Sequence, residues 1–462
     1  MTTIRAQWDQ ALPRALALHS EHVNASMAQV LRIIGFDRKY VSAQGCVLHD
    51  ADGGDYLDFL GGFSVFNLGH NPPALVETLR EVLGASWPNL VQLDASPLSG
   101  LLASRLVARD PGKRLKYAYF GNSGAEAVEC ALKFSRAATG RPRVFSWDGG
   151  FHGLTMGALS LCGDKQWRER FGPFLPGCET IPFGDVDRIE SELKKKDVAA
   201  LILEPIQGEG GVRELSQDTW TRIQALCRKY GTLLVLDEIQ TAFGRTGKFF
   251  AFEHWGLEPD MVCLAKALTN GFVPASATLG TPAVFEKVFD RLDRCMVHSS
   301  TFGENNLAMA AGLTVLEEID RQGLVERSAR MGERLVGLLR ESLGSEYVKE
   351  VRGRGLMVAI EFAEPKSLTL RMGYNLLQKA NKGLFGQMIT TALMQQHRVL
   401  TQVAGHNLSV LKLSPPLVVS DAELIRFSSA LRDVLAECGR FPGGIWDFGL
   451  GLVKRALSPA VD

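Results

Sequence analysis

The chain has 462 residues, 46% hydrophobic and 22% charged, the balance of a folded globular protein long enough for two or three domains. Its 51 Lys+Arg match its 51 Asp+Glu, so no global field draws in nucleic acid or a charged membrane, and any charge recognition is local. No run of 18 apolar residues suits a membrane span, the N-terminus lacks the apolar core of a secretory signal, and eight scattered cysteines without a C-x-x-C pair read as reduced thiols of a cytoplasmic protein.

In chain order, "CVLHDADGGDYLDFLGG" predicts a hairpin turning on its Gly-Gly, in an N-terminal segment (1–70) expected to pack with the C-terminal part of the chain. Short apolar runs without alternation then recur: "KYAYF" (116–120), "RVFSW" (143–147), "VAALILEP" (198–205), "TLLVLDE" (232–238) and "DMVCLAKA" (260–267). Such runs are strands buried on both faces. Between them, 124–140 and 216–231 have helical period, the second opening on a Ser cap and closing on Gly. Strand-helix-strand spacing of this kind predicts an α/β large domain (71–315) around a mainly parallel, helix-covered sheet. The texture then changes to one long amphipathic helix beginning at Leu324, with strands in "RGLMVAIEF" and "LSVLKLSPPLVVS", predicting a smaller α+β domain (316–435) and a tail (436–462).

Three strand ends carry charge: Glu204, Asp237 and Lys266. Ligands of open parallel sheets bind outside the carboxyl ends of the strands, whereas a single acid there is more often a helix cap or a surface ion pair. "LLVLDE" also resembles the acid pair of a P-loop ATPase, but the required G-x-x-x-x-G-K-[ST] is missing, since "GRTGK" (244–248) is too short between its glycines. G-x-G-x-x-G is absent after any early strand, and the nine histidines form no tight metal-binding cluster, so no metal is expected. There remains an organic cofactor with a basic ring nitrogen and a phosphate. "GNSGAEA" (121–127) closes small residues on an anion at a helix start, "DGGFHG" (148–153) offers a ring for stacking, an Asp can hold a pyridine nitrogen protonated, and a Lys can supply a Schiff base. Together these suit pyridoxal phosphate.

"GNSGAEAVECALK", "FHGLTMGALS", "LILEPIQGEGGV", "LLVLDEIQTAFGRTGKFFAFEHWGLEPDMVCLAKALTNG" and "HSSTFGENNLAMAAG" resemble the class III pyridoxal-phosphate aminotransferases of fold type I, over roughly residues 40 to 435. "LGGFSVFNLGHNPP" is most similar to the putrescine members, beside the ornithine ones. The resemblance implies a mainly parallel seven-stranded sheet in the large domain and an amino-group transfer between small-molecule amine and carbonyl substrates. It makes Lys266 the Schiff-base lysine and proton carrier, and Asp237 the partner of the ring nitrogen. Gln240 would contact the ring hydroxyl, Phe151 would stack on the ring, and Ser123, Gly124 and Ala125 would bind the phosphate, with His152 and Glu204 beside the cofactor. Thr301 would reach the cofactor phosphate of a neighbouring subunit, which requires a homodimer with shared sites. Core packing for Phe151 and a strand-end cap for Thr301 are the plainer alternatives.

Departures from the family pattern concern the substrate. Where ornithine-type members hold carboxylates with Arg, this chain has Leu154 and Lys412, and Phe63 stands where they carry an aromatic hydroxyl. Arg grips a carboxylate with two parallel bonds and Lys cannot, so a more apolar pocket is expected, with Glu209 paired to Lys412 as a softer gate or else as an exposed loop acid. The segment 367–407 is longer and more apolar than in putrescine enzymes; it loosely resembles transaminases acting on long or lipid-like aldehydes and ketones, as in the prodigiosin and hopanoid pathways, or it is a helix-helix core. The tail, with Trp446, Phe448, Leu450, Leu452 and Val453 before Lys454 and Arg455, could rest on a membrane surface, although its glycines favour docking on the dimer.

Overall fold

The computed structural model describes residues 3–90, 95–341, 344–380, 382–440, 442–447, 449 and 451. Seven strands form the central sheet: Tyr117–Gly121, Ser276–Gly280, Met261–Leu264, Leu233–Asp237, Val198–Leu203, Arg143–Trp147 and Cys178–Ile181, from one edge to the other. All pairings are parallel except those of Ser276–Gly280, which runs antiparallel to both neighbours. Every residue of Val198–Leu203 is buried, as an apolar run covered on both faces demands.

Helix Gly124–Thr139 starts because Ser123 Oγ accepts from the Glu126 amide at 3.2 Å, and it stops at Gly140, whose φ of 68° an L side chain resists. Its buried face, including Val128, Leu132 and Phe134, lies on the sheet. Helix Gln217–Tyr230 repeats the design with Ser216 and Gly231.

A second sheet is antiparallel, in the order Val348–Arg354, Met357–Phe362, Val410–Leu413, Gln402–Val403. Helices Leu324–Glu341 and Leu384–His397 pack on it, and helix Asp421–Cys438 packs on both of them. The N-terminal hairpin, Val47–Asp50 with Asp55–Asp58, joins this part of the chain: its second strand pairs in parallel with Val399–Leu400, and Phe59 stacks on Phe427 at 4.3 Å.

Arg245, within "GRTGK", fastens three parts of the chain together. It is wholly buried and donates to Leu356 O at 3.1 Å, Pro415 O at 2.5 Å and Asn67 Oδ1 at 2.5 Å. Burial pulls its pKa down to about 9. Among the described residues no helix is long and apolar enough to cross a membrane. In the tail, Trp446 is buried and its Nε1 donates to Cys438 O at 3.1 Å; Phe448, Leu450, Leu452, Val453, Lys454 and Arg455 lie outside the described residues.

Candidate active site

A cavity of about 330 Å³ opens at the carboxyl ends of the parallel strands. It is lined by Ser123, Gly124, Ala125, Phe151, His152, Glu204, Asp237, Gln240 and Lys266. Residues spread over 144 positions of the sequence thus converge, because each follows a strand whose end faces the same space.

Asp237 ends its strand with the carboxylate buried. Its Oδ1 accepts from the Ile239 amide at 3.1 Å and its Oδ2 lies 2.8 Å from His152 Nδ1. Burial opposes a charge on His152, but the hydrogen bond and charge of Asp237 outweigh it and raise the pKa of the imidazole. The other ring nitrogen, His152 Nε2, is buried without a partner. Glu204 accepts from the amides of Phe151 at 3.0 Å and Gly208 at 2.9 Å, so it fixes the Phe151 loop; burial lifts its pKa to about 7.

Lys266 opens the turn Lys266–Thr269 with φ of 44°. A lysine in this left-handed region costs about 1–3 kcal/mol, and such strain persists where the surroundings dictate the conformation. Burial, then repulsion from Lys412, lowers its pKa to about 8, which keeps a nucleophilic amine accessible near neutrality.

The anion cradle is the start of helix Gly124–Thr139. Ser123 is spent on the Glu126 amide, while the first-turn amides of Gly124 and Ala125 have no acceptor within the helix. A Cβ at Gly124 would lie 2.9 Å from Ile239 Cδ1, so a larger residue there would push that side chain aside.

Behind Gln240, Glu209 is buried, not an exposed loop acid, and it and Lys412 lie outside the cavity lining. Its Oε1 accepts from Gln240 Nε2 at 3.0 Å and from Lys412 Nζ, and its Oε2 from the Gly405 amide at 2.9 Å. Burial raises its pKa, yet the charge and hydrogen bond of Lys412 win and hold it at about 2. Lys412 Nζ also stands 5.7 Å from the centre of the Phe63 ring. Phe63, at 44% exposure, and Leu154, at 53%, lie outside the cavity lining. Thr301 sits on the exposed 301–304 turn, also outside this lining.

Val65, Asn122, Ile239, Thr269 and the stretch Val273, Pro274 and Ala275 line the cavity as well. Ile239 could have been inferred from its place between Asp237 and Gln240; Val65 and Val273 carry no sequence signal.

The class-III aminotransferase family profile matches residues 35–435. The chain belongs to the class-III aminotransferases. Putrescine aminotransferase of Pectobacterium atrosepticum is 40% identical over 401 residues, covering 84% of this chain and 80% of that one. Aminotransferase PigE of a Serratia species is 33% identical over 464 residues, and this chain spans 94% of its own length but only 54% of that relative. Among solved structures, ornithine aminotransferase from Toxoplasma gondii superposes with a TM-score of 0.81 at 27% identity, covering 94% of this chain and 99% of that one. An amine transaminase from an uncultivated Pseudomonas species, in its PLP-bound form, gives 0.78 at 29%, covering 88% and 96%.

As a class-III aminotransferase the protein is a pyridoxal-phosphate-dependent transaminase of fold type I. The cavity fits that cofactor: it offers free helix amides for a phosphate, a buried carboxylate, a lysine, and two polar atoms without protein partners, His152 Nε2 and Gln240 Oε1. Metal-ligand clusters of three or more His, Cys, Asp or Glu are absent among the described residues.

Proposed function

We propose that this aminotransferase prefers amine donors that lack an α-carboxylate, diamines foremost, and passes the amino group to an aldehyde or keto acceptor in a largely apolar pocket. The observation that carries this is the occupation of Glu209. Three donors from three separate segments hold its carboxylate, and Lys412, which stands where ornithine-type members carry Arg, is committed to it. No arginine lines the cavity among the described residues, so an entering α-carboxylate meets no guanidinium fork. Freeing Lys412 for it would strand a buried carboxylate, the expensive way to break an ion pair.

The bound cofactor supplies an electron sink that lets a proton leave and rejoin carbon. In this reading Lys266 carries that proton, and its lowered pKa suits both taking and giving it near neutral pH. Asp237, backed by His152, would stand against the ring nitrogen; Phe151 would stack on the ring; Gln240 would face the ring hydroxyl; Ser123, Gly124 and Ala125 would hold the phosphate. Thr301 would serve the site of a second subunit, making the enzyme a homodimer, and the cytoplasm is the proposed compartment. The likeness to putrescine aminotransferase supports the diamine reading. The apolar lining residues Val65, Ile239, Val273 and Pro274 favour a hydrophobic aldehyde as acceptor.

The test is the ratio of kcat/KM for a linear diamine to that for L-ornithine or L-glutamate, in the wild type and in Lys412→Arg. The wild type favours the diamine, and the substitution shifts the ratio toward the amino acids. A wild type that prefers the amino acids, or an unmoved ratio, contradicts the assignment.

A further inference from the structure

Behind Phe151, rings from three separate segments meet. Phe151 and Trp167 pack edge to face with centroids 5.3 Å apart, and His406 lies 6.2 Å from Phe151 and 6.3 Å from Trp167. Trp167 rides on the single turn Lys165–Arg168, whose cap Asp164 accepts from the Gln166 amide at 2.7 Å. The second oxygen of Asp164 lies 3.2 Å from His406 Nδ1, within ion-pair range although not aligned as a hydrogen bond. From the opposite side, the His406 amide donates to Glu209 O at 2.9 Å, next to the Gly405 amide that holds the Glu209 carboxylate. One carboxylate, Asp164, therefore anchors both the turn behind the stacking ring and the loop that clamps the acid at the donor side.

Packing alone is a poor reason for these residue types. Trp167 Nε1 and His406 Nε2 are buried without partners, a cost that phenylalanine at either position would avoid. The imidazole brings Nδ1 to 3.2 Å from Asp164 Oδ2, and an indole reaches from the turn to the Phe151 edge.

We infer that Trp167 and His406 are positioning residues: Trp167 sets the orientation of the Phe151 ring, and His406, seated against Asp164 and Trp167, extends the same brace to Glu209 and so to donor choice. The inference rests on the roles proposed for Phe151 and Glu209, and it divides the two effects between two side chains.

The test uses the holoenzyme with Trp167→Ala, Trp167→Phe, His406→Ala, His406→Phe and Asp164→Asn. Three quantities are measured: the visible circular dichroism of the bound cofactor, its dissociation constant, and the diamine to amino-acid ratio of kcat/KM. Trp167→Ala changes the dichroism and weakens the cofactor about three- to tenfold, the scale of one edge-to-face ring pair, with the donor ratio unmoved. Trp167→Phe restores both cofactor signals. His406→Ala moves dichroism and donor ratio together, His406→Phe restores only the dichroism, and Asp164→Asn shifts the donor ratio as His406→Ala does. Folded alanine variants that leave all three quantities at wild-type values overturn the inference, as does a uniform decline that tracks a lowered Tm. A wild type that takes up no pyridoxal phosphate removes the proposed role of Phe151 itself, a failure recognisable before any variant is made.

Discussion

At the scale of single residues, the site is organised by carboxylates in unlike surroundings. Glu204 accepts from two amides, and burial outweighs the nearby His152 and raises its pKa to about 7; Glu209 is bonded to a lysine and falls to about 2. The two therefore pull stability in opposite directions as pH changes. The ordinary value is 4.5, so the Glu209 contribution is fully present above about 4.5 and is lost as pH falls toward about 2. Denaturant titrations of wild type and Glu209→Gln should show a stability gap that narrows from about pH 5 to about pH 2; a constant gap would mean that Lys412 does not hold the acid. Much of this scale was legible in sequence, because Asp237, Glu204 and Lys266 follow apolar runs that can only be strands. Phe63 and Leu154 were expected beside the substrate but lie outside the cavity lining, since a pattern places residues on a loop without saying how deep the loop sits. Trp167 and His406 gave no signal, as their meeting depends on two loops 239 positions apart in the chain.

At the scale of elements, the cofactor-facing end of helix Gly124–Thr139 combines a cap with an anion cradle. Ser123→Ala should cost about 1 kcal/mol in stability, the usual worth of a serine cap. It should also weaken pyridoxal phosphate more than pyridoxal, because the loosened first turn carries the amides meant for the phosphate. Equal weakening of the two would assign Ser123 to the helix alone. Strands whose neighbours bury both faces announced themselves as apolar runs. Ser276–Gly280, of sequence SATLG, did not: its small residues fit against helix Gly124–Thr139, where Thr278 Oγ1 donates to Ala127 O at 3.0 Å, and the reversed direction of an inner strand leaves no mark in composition. Val348–Arg354 was missed because its exposed side chains alternate with few apolar ones.

At the scale of the whole molecule, Arg245 joins the N-terminal block, the loop after the Asp237 strand and the C-terminal sheet. Arg245→Met removes the donor from three buried acceptors, each worth about 1–3 kcal/mol when left unpaired, and should lower the urea midpoint accordingly. A wild-type midpoint would show that the three parts hold together without it. The sequence marked "GRTGK" only as a failed phosphate loop, since nothing in a local motif says that its arginine is buried. The central claim is that Lys266 and Asp237 address the two ends of one pyridoxal phosphate ring. Its most direct test is borohydride reduction of the cofactor-supplemented protein, followed by mass spectrometry of the peptides. A single phosphopyridoxyl adduct on Lys266, absent from Lys266→Ala, is the predicted result; an adduct on any other lysine, or none, would contradict it.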